Sequence, residues 1–429
     1  MAYLLFVPYL LFFAWLITKI KFFSRSGLNS SQLVILFFLK VMAGIFYGWM
    51  GTYYGSMAQM VDTWQLHEYG LYEYRLLGND PQTYFTNIFH NPYEDGLKNF
   101  FGSTNSYWND LKANMFVKML SVFNILSMGQ YYINVIFYAF LSFFGPIAFF
   151  RVMNDVFPGR KLIILLATFL VPSFLYWTSG IHKEGLLFAG LSLIIYHMYF
   201  GWKNGYRFKN WIGIIGGLLL LMIFRNFLVV LVVPAIIAWF VSQKFKPHGL
   251  TVFTILYLFF GVLFFAGKHI HPRLDFPQAV VDKQQAFLTL QPGNSTVPIT
   301  ELQPTLGSFI GNTPQAISLT VIRPYPSDVN HLLSLAACFE INLLLLFFLV
   351  FLFFRKTGNT SRNTIYCLLF ISISILLAIG FSVNNLGAIV RYRSLVIPLL
   401  IVPMAAQIDW QRLAGLFSKI TNKNNMSIS

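Results

Sequence analysis

Four short clusters of ionisable residues interrupt an otherwise apolar chain, and each offers a definite chemistry. Asp62 and Glu68, in DTWQLHEY, are carboxylates able to take a proton from an attacking hydroxyl. If 62–69 is helical, Asp62, Gln65 and Tyr69 share a face and Glu68 stands beside them. His182, Lys183 and Glu184, in PSFLYWTSGIHKEG, stand in a row between two apolar runs. His182 and Lys183 can hold a phosphate, and Glu184 can pair with Lys183 or another cation. The same stretch also reads as a helix start, capped by Thr178 or Ser179, with Glu184 favoured by the helix dipole. Arg225, in FRN, is permanently charged and needs an anion if buried; otherwise it snorkels to the interface. Arg391 and Arg393, in NNLGAIVRYRSLVIPLL, form a helix-terminal pair suited to a phosphate or pyrophosphate, or to interfacial anchoring.

The elements that must position these groups are transmembrane helices. Only 10% of the 429 residues are charged and 56% are hydrophobic. A water-facing surface needs about 25% charged residues, so lipid is the expected solvent. The apolar runs far exceed the strands of about 10 residues in membrane barrels. The expected fold is an all-α polytopic bundle, a single transmembrane domain over 1–429 with about eleven spans. They fall near 3–19, 32–53, 131–150, 162–178, 185–201, 211–224, 227–243, 250–267, 332–354, 363–381 and 392–408. The pairs meeting near Ser179 and Arg225 are tight enough to be hairpins or broken, re-entrant elements.

Basic residues set the expected orientation. Lys19, Lys21 and Arg25, then Arg151, Arg160 and Lys161, then Lys203, Arg207 and Lys209 fall in alternate loops. Lys244 and Lys246, then Arg355, Lys356 and Arg362, then Arg412, Lys419 and Lys423 continue the alternation. This puts the N-terminus outside, the C-terminus in the cytoplasm and all four clusters at the non-cytoplasmic face. It also accounts for the net charge of +15 without nucleic acid. Two long outer loops follow. Loop 54–130 is acidic and partly helical, carrying Asp62, Glu68, Glu73, Asp80, Glu94, Asp95 and Asp110, with an amphipathic stretch at 113–126. Loop 268–331 is Pro-rich and irregular. Within spans, Lys40 needs a partner, and Glu340 is a candidate. Cys338 and Cys367 make no metal or disulfide framework, and no Walker, HExxH or GxSxG motif occurs.

An acidic outer loop beside cationic helix ends suits a lipid-phosphate-linked substrate, with Trp64, Tyr69 and Tyr72 available to stack on sugars. The Asp62 region, PSFLYWTSGIHKEG and NNLGAIVRYRSLVIPLL together resemble the GT-C superfamily of polyprenyl-phosphate-dependent glycosyltransferases. The resemblance implies transfer of a sugar from a polyprenyl-phosphate-linked donor to a glycan, lipid or protein acceptor at the outer face of a bacterial inner membrane. It implies an acidic base, Asp62 or Glu68, and basic phosphate ligands. Some members use Mg²⁺ or Mn²⁺ and others none; Asp62, Glu68 and Asp80 offer oxygens at a spacing that leaves this open. The chain departs from the pattern by an extra leading span and by lacking paired acids near Asp62. The leading span resembles instead the Wzy/EpsG-like polysaccharide polymerases, where Arg225, Arg391 and Arg393 would bind pyrophosphate. A lipid-glycan transporter or flippase is the non-enzymatic alternative.

Overall fold

A computed structural model describes residues 2–53, 62–93, 100–101, 106–245, 248–356 and 361–415. Glu94, Asp95, Lys246, Lys419 and Lys423, named above, lie outside the described residues. The chain is an all-α bundle with no strand among the described residues. Among the described residues, eight helices are long and apolar enough to cross a membrane, and up to ten spans result if each of two bent pairs counts as one. The N-terminal helix α1 (Ala2–Lys19) is apolar but shorter than these in its apolar part. Every expected span falls on one of these elements.

In chain order, α2 (Lys21–Ser24) is a single turn and α3 (Ser30–Tyr53) is the first long helix. Helices α4 (Asp62–Asn79), α5 (Pro81–Thr86) and α6 (Tyr107–Ser127) make up the first long loop. The centre is α7 (Tyr131–Val156), which packs on α3 and α10. The first bent pair, α8 (Lys161–Phe169) and α9 (Pro172–Ser179), turns by 56° before Pro172. Then come α10 (Lys183–Asn204), α11 (Phe208–Arg225), α12 (Phe227–Lys244) and α13 (Gly249–Ile270). Helices α14 (Phe276–Leu288) and α15 (Leu306–Ile317) lie in the second long loop and pack on α17. The chain continues through α16 (Leu332–Phe354) and α17 (Arg362–Ser382). It ends in a second bent pair, α18 (Leu386–Arg393) and α19 (Ile397–Gln407), again at 56°.

The solvent argument is visible in the burial pattern. Helices α7 and α10 are buried on most sides, whereas α13 and α16 sit at the rim. The exposed faces of those rim helices carry Ile255, Leu258, Phe259 and Val262, and Phe339, Leu343, Leu346 and Phe353. A helix that is apolar all round and still exposed in the folded chain is stable only against lipid.

The second long loop is more regular than its composition suggests. Its prolines start or punctuate helices: Pro277 sits in the first turn of α14, and Asp275 caps it by accepting from the Gln278 N–H at 3.1 Å. Val281, Leu302 and Phe309 close a small apolar core of their own beside α17. The 113–126 stretch is part of α6, which is buried against α4, α7 and α11 and exposes Val122, Ile125 and Leu126 on its outer side.

The short helix α9 is held at both ends by charge. The Ser173 N–H donates to Glu340 Oε2 at 2.7 Å, and Lys40 Nζ donates to the Thr178 carbonyl at 2.7 Å. A carboxylate at the N-terminus and an ammonium at the C-terminus match the helix dipole and satisfy groups the helix leaves open. Glu340, the candidate partner of Lys40, does not pair with it: the two residues meet opposite ends of one eight-residue helix. Gly44 lets α3 run against the end of α9, because a Cβ there would sit 2.6 Å from the Ser179 carbonyl oxygen.

Candidate functional site

The site forms at the end of the bundle where α10 and α12 begin and α11 ends. Its centre is Glu184, in the first turn of α10 and fully buried. Glu184 Oε2 is hydrogen-bonded to His182 Nδ1. Its other oxygen accepts from Arg225 Nη2 at 3.2 Å and lies 3.5 Å from Arg391 Nε, close enough for charge but poorly aligned for a hydrogen bond. Arg391 then turns outward. Its Nη1 donates to Asp62 Oδ2 at 2.8 Å and lies 3.5 Å from His182 Nε2. Asp62 Oδ2 is itself 3.8 Å from His182 Nε2. The imidazole thus stands between two carboxylates, one buried and one with a side chain 53% exposed.

Each member is positioned by neighbours that do no chemistry. Asp62 opens α4, whose first turn is pinned by Thr63 and Trp64. The Thr63 hydroxyl donates to the Ile181 carbonyl at 3.1 Å and pairs with the Tyr131 hydroxyl at 2.7 Å. Trp64 Nε1 donates to the Gly48 carbonyl at 2.9 Å, and its ring stacks on Tyr131 at 4.0 Å. The His182 carbonyl accepts from the Tyr138 hydroxyl. Gly185 permits this approach, since a Cβ there would lie 2.5 Å from both the Tyr138 hydroxyl and the Thr178 carbonyl oxygen. The guanidinium of Arg225 lies 4.1 Å over the Tyr392 ring, and that of Arg391 lies 5.8 Å from the Trp177 centroid.

A second ring of cations surrounds this centre. Lys112 of α6 donates to Asn226 Oδ1 at 3.2 Å and to Asn109 Oδ1 at 3.0 Å. Lys183 lies within electrostatic reach of Arg225 and Arg391, and Lys283 of α14 within reach of Arg225. Five cations from five helices therefore face two carboxylates, Asp62 and Glu184. None of the three lysines makes an ion pair within 4 Å among the described residues. Burial, and then the charges of Lys183, Lys283 and Arg225, push Lys112 down to about 8. Burial lowers Lys283 as well, with Arg225 adding to the shift and Tyr392 opposing it. For Asp62, the neighbouring imidazole of His182 and then the charge of Arg391 hold the carboxyl well below the usual carboxylate range, against the effect of burial.

The structure brings together Asp62, His182, Lys183, Glu184, Arg225 and Arg391. It leaves out Glu68 and Arg393. Glu68 is exposed further along α4, where its charge acts on neighbouring His67. Arg393 is buried and its Nη1 donates to the carbonyls of Thr320 and Arg323. The reason is helical geometry: residues two apart project to nearly opposite sides, so Arg391 and Arg393 cannot grip one phosphate. Glu184 is spent on His182 and the two arginines, which makes it a positioning residue and not a phosphate ligand. Trp64 is covered by Tyr131, whereas Tyr69 and Tyr72 stay exposed.

No metal set forms from the expected acids. Asp80 caps α5, accepting from the Thr83 N–H at 3.1 Å and the Thr83 hydroxyl at 2.6 Å, and Asp62 is held by Arg391. Among the described residues, no three His, Cys, Asp or Glu side chains gather to hold an ion. An apolar cavity lined by Ile195, Trp239 and Leu368 lies further along α10, away from the charged cluster. No family model, curated protein or solved structure matches the chain, so geometry carries the functional reading.

Lys112 and Lys283 went unnoticed in the sequence. Their signal was there: each is a lysine in a long loop on the side that the positive-inside pattern leaves poor in basic residues.

Proposed function

We propose that the chain is an integral membrane glycosyltransferase that takes a sugar from a polyprenyl-phosphate-linked donor at the non-cytoplasmic face of a bacterial inner membrane. One observation carries this: Arg225, Arg391 and Lys183 converge on a buried carboxylate–imidazole pair at the ends of apolar helices. Such a place suits a substrate whose tail lies in lipid and whose phosphate reaches the boundary. The N-terminus-outside orientation belongs to the same reading.

In the proposed reaction the acceptor hydroxyl attacks the anomeric carbon, forming the new glycosidic bond. The bond from that carbon to the phosphate oxygen breaks, and the lipid phosphate leaves with the electron pair. Arg225, Arg391 and Lys183 offset the charge on that leaving group. The acceptor proton goes to His182 Nε2. His182 Nδ1 meets both Glu184 Oε2 and the Lys183 N–H; in the proposed reaction it carries its proton toward Glu184, so that the Nε2 lone pair facing Asp62 and Arg391 is the basic site. Asp62 is a poor proton acceptor because its carboxyl is held so acidic; it serves better as the charge that faces the protonated imidazole.

A second reading, a Wzy/EpsG-like polymerase, is favoured by the dominance of cations over any free carboxylate base. Both readings predict release of polyprenyl phosphate or diphosphate, and product length separates them. The test is purified protein in detergent with a labelled polyprenyl-phosphate-linked sugar and candidate acceptors. Single transfer supports the first reading and a ladder of products the second. Donor that binds and is carried across a vesicle membrane, with no transfer to any acceptor, would make the chain a transporter and overturn both.

A further inference from the structure

We propose that Lys112 and Lys283, with Lys183 shared between the two zones, form a second anion subsite beside the arginine–carboxylate centre that takes an additional acidic group of the substrate. The inference rests on the lipid-phosphate reading above and extends it to what the substrate must carry. The additional group is either the second phosphate of a diphosphate or the carboxylate of an acidic sugar; the shared chemistry is an oxyanion held by ammonium groups.

The geometry separates the two zones. Glu184 and Asp62 occupy Arg225 and Arg391 on one side. Asn226 follows Arg225 and faces the other way, its Oδ1 accepting from Lys112 and its side-chain amide donating to the Phe100 carbonyl. Phe101 packs edge-on against Phe276 of α14, with ring centroids 5.7 Å apart. Lys283 is seven residues on from Phe276, two turns along the same face of α14. So α6, the start of α12 and α14 are tied around Asn226, and each zone has its own helices. Lys183, next to Glu184, links them.

The charge pattern needs an occupant. The centre has carboxylates to offset its arginines. The three lysines are half-buried, mutually repelling, and have no carboxylate within 4 Å among the described residues. Burying like charges together is costly unless an anion joins them. Lysine also suits this role: its compact ammonium serves as a point charge for an oxyanion of varied shape.

The experiment measures equilibrium binding to full-length protein in detergent, with three probes: inorganic phosphate, inorganic diphosphate and a glucuronate-bearing oligosaccharide. Wild-type protein is expected to prefer diphosphate or the glucuronate glycan over phosphate by about tenfold, the worth of one charge-assisted contact. The preferred probe identifies the source of the second anion. Lys112→Gln and Lys283→Gln should each erode that preference and leave phosphate affinity unchanged, and Lys283→Arg should restore it. Arg225→Gln should weaken all three probes. Equal affinity for all probes, or lysine variants that weaken phosphate as much as diphosphate, would overturn the subsite. Because binding is read without turnover, failure of the glycosyltransferase reading shows separately, as intact anion preference with no transfer.

Discussion

Replacing Glu184 with glutamine should destabilise the fold far more than replacing Asp62 with asparagine, although both carboxylates meet Arg391 and His182. Glu184 is fully buried and serves His182, Arg225 and Arg391 together. Removing its charge leaves Arg225 without its carboxylate and Arg391 with Asp62 alone, and breaking a buried pair costs about 3–5 kcal/mol. Asp62 has a side chain 53% exposed, where the loss of an ion pair costs roughly 0–1 kcal/mol. The assay is thermal unfolding in detergent, run as a double-mutant cycle with Arg225→Gln. Removing both partners should cost less than the two single losses added together, with a coupling of about 0.5–3 kcal/mol. A Glu184→Gln protein as stable as wild type, or strictly additive losses in the cycle, would refute the view of Glu184 as the buried counter-ion that assembles the site.

Lys40→Met should leave the Thr178 carbonyl without its donor and cost about 1–3 kcal/mol, read by the same unfolding assay; Glu340→Gln should cost much less, since the amide oxygen still accepts from the Ser173 N–H. Gly44→Ala should cost about 1–3 kcal/mol of overpacking, because its Cβ would press on both the Ser179 carbonyl and Val135. Lys112 predicts a pH dependence of known sign. Its folded value of about 8 lies below the ordinary lysine value, so between the two the unfolded chain binds more protons and stability without ligand rises with pH. Lys112→Gln should flatten that rise, and affinity for diphosphate should fall over the same window. Asp62 has the opposite sign: its contribution is present above the ordinary carboxylate value and lost as pH falls through its lowered one, so Asp62→Asn should remove part of the acid limb of an unfolding profile.

Most helices were legible because lipid imposes long apolar runs; the expected spans 162–178 and 392–408 fall instead on helix pairs bent by 56°. The tight junction around Ser179 was also legible, since PSFLYWTSGIHKEG places turn-forming and ionisable residues where a span should continue. What the sequence withheld was direction. Arg391 and Arg393 look equivalent on paper, and only the helical projection sends one to Glu184 and Asp62 and the other to the Thr320 and Arg323 carbonyls. Glu68 looked as able as Asp62, but only Asp62 stands at the start of α4, where Thr63 and Trp64 fix it. Long-range partners such as Lys40 with Thr178, or Lys112 with Asn226, are separated by 138 and 114 residues and leave no local trace.

The charged residues that stay out of the chemistry explain how the site can exist at all. Both bent pairs resume at a proline, Pro172 in α9 and Pro398 in α19; His182 and Glu184 follow α9 at its junction with α10, and Arg391 lies in α18 before the second break. Breaking a helix inside lipid exposes N–H and carbonyl groups that hydrocarbon cannot satisfy, at several kcal/mol each. Here the exposed backbone is covered by side chains from distant elements. Glu340 and Lys40 take the two ends of α9, and Thr63 and Tyr138 take the Ile181 and His182 carbonyls. Arg393 takes the carbonyls of Thr320 and Arg323. Irregular backbone is tolerated at membrane depth only where protein buries it, so these contacts are a condition of having His182 and Glu184 at a break. It follows that a buried ion in this chain is a candidate for the proposed site only when its partner is another side chain of that site. One whose partner is backbone, as for Lys40, Glu340 and Arg393, is evidence of a broken helix being held in place.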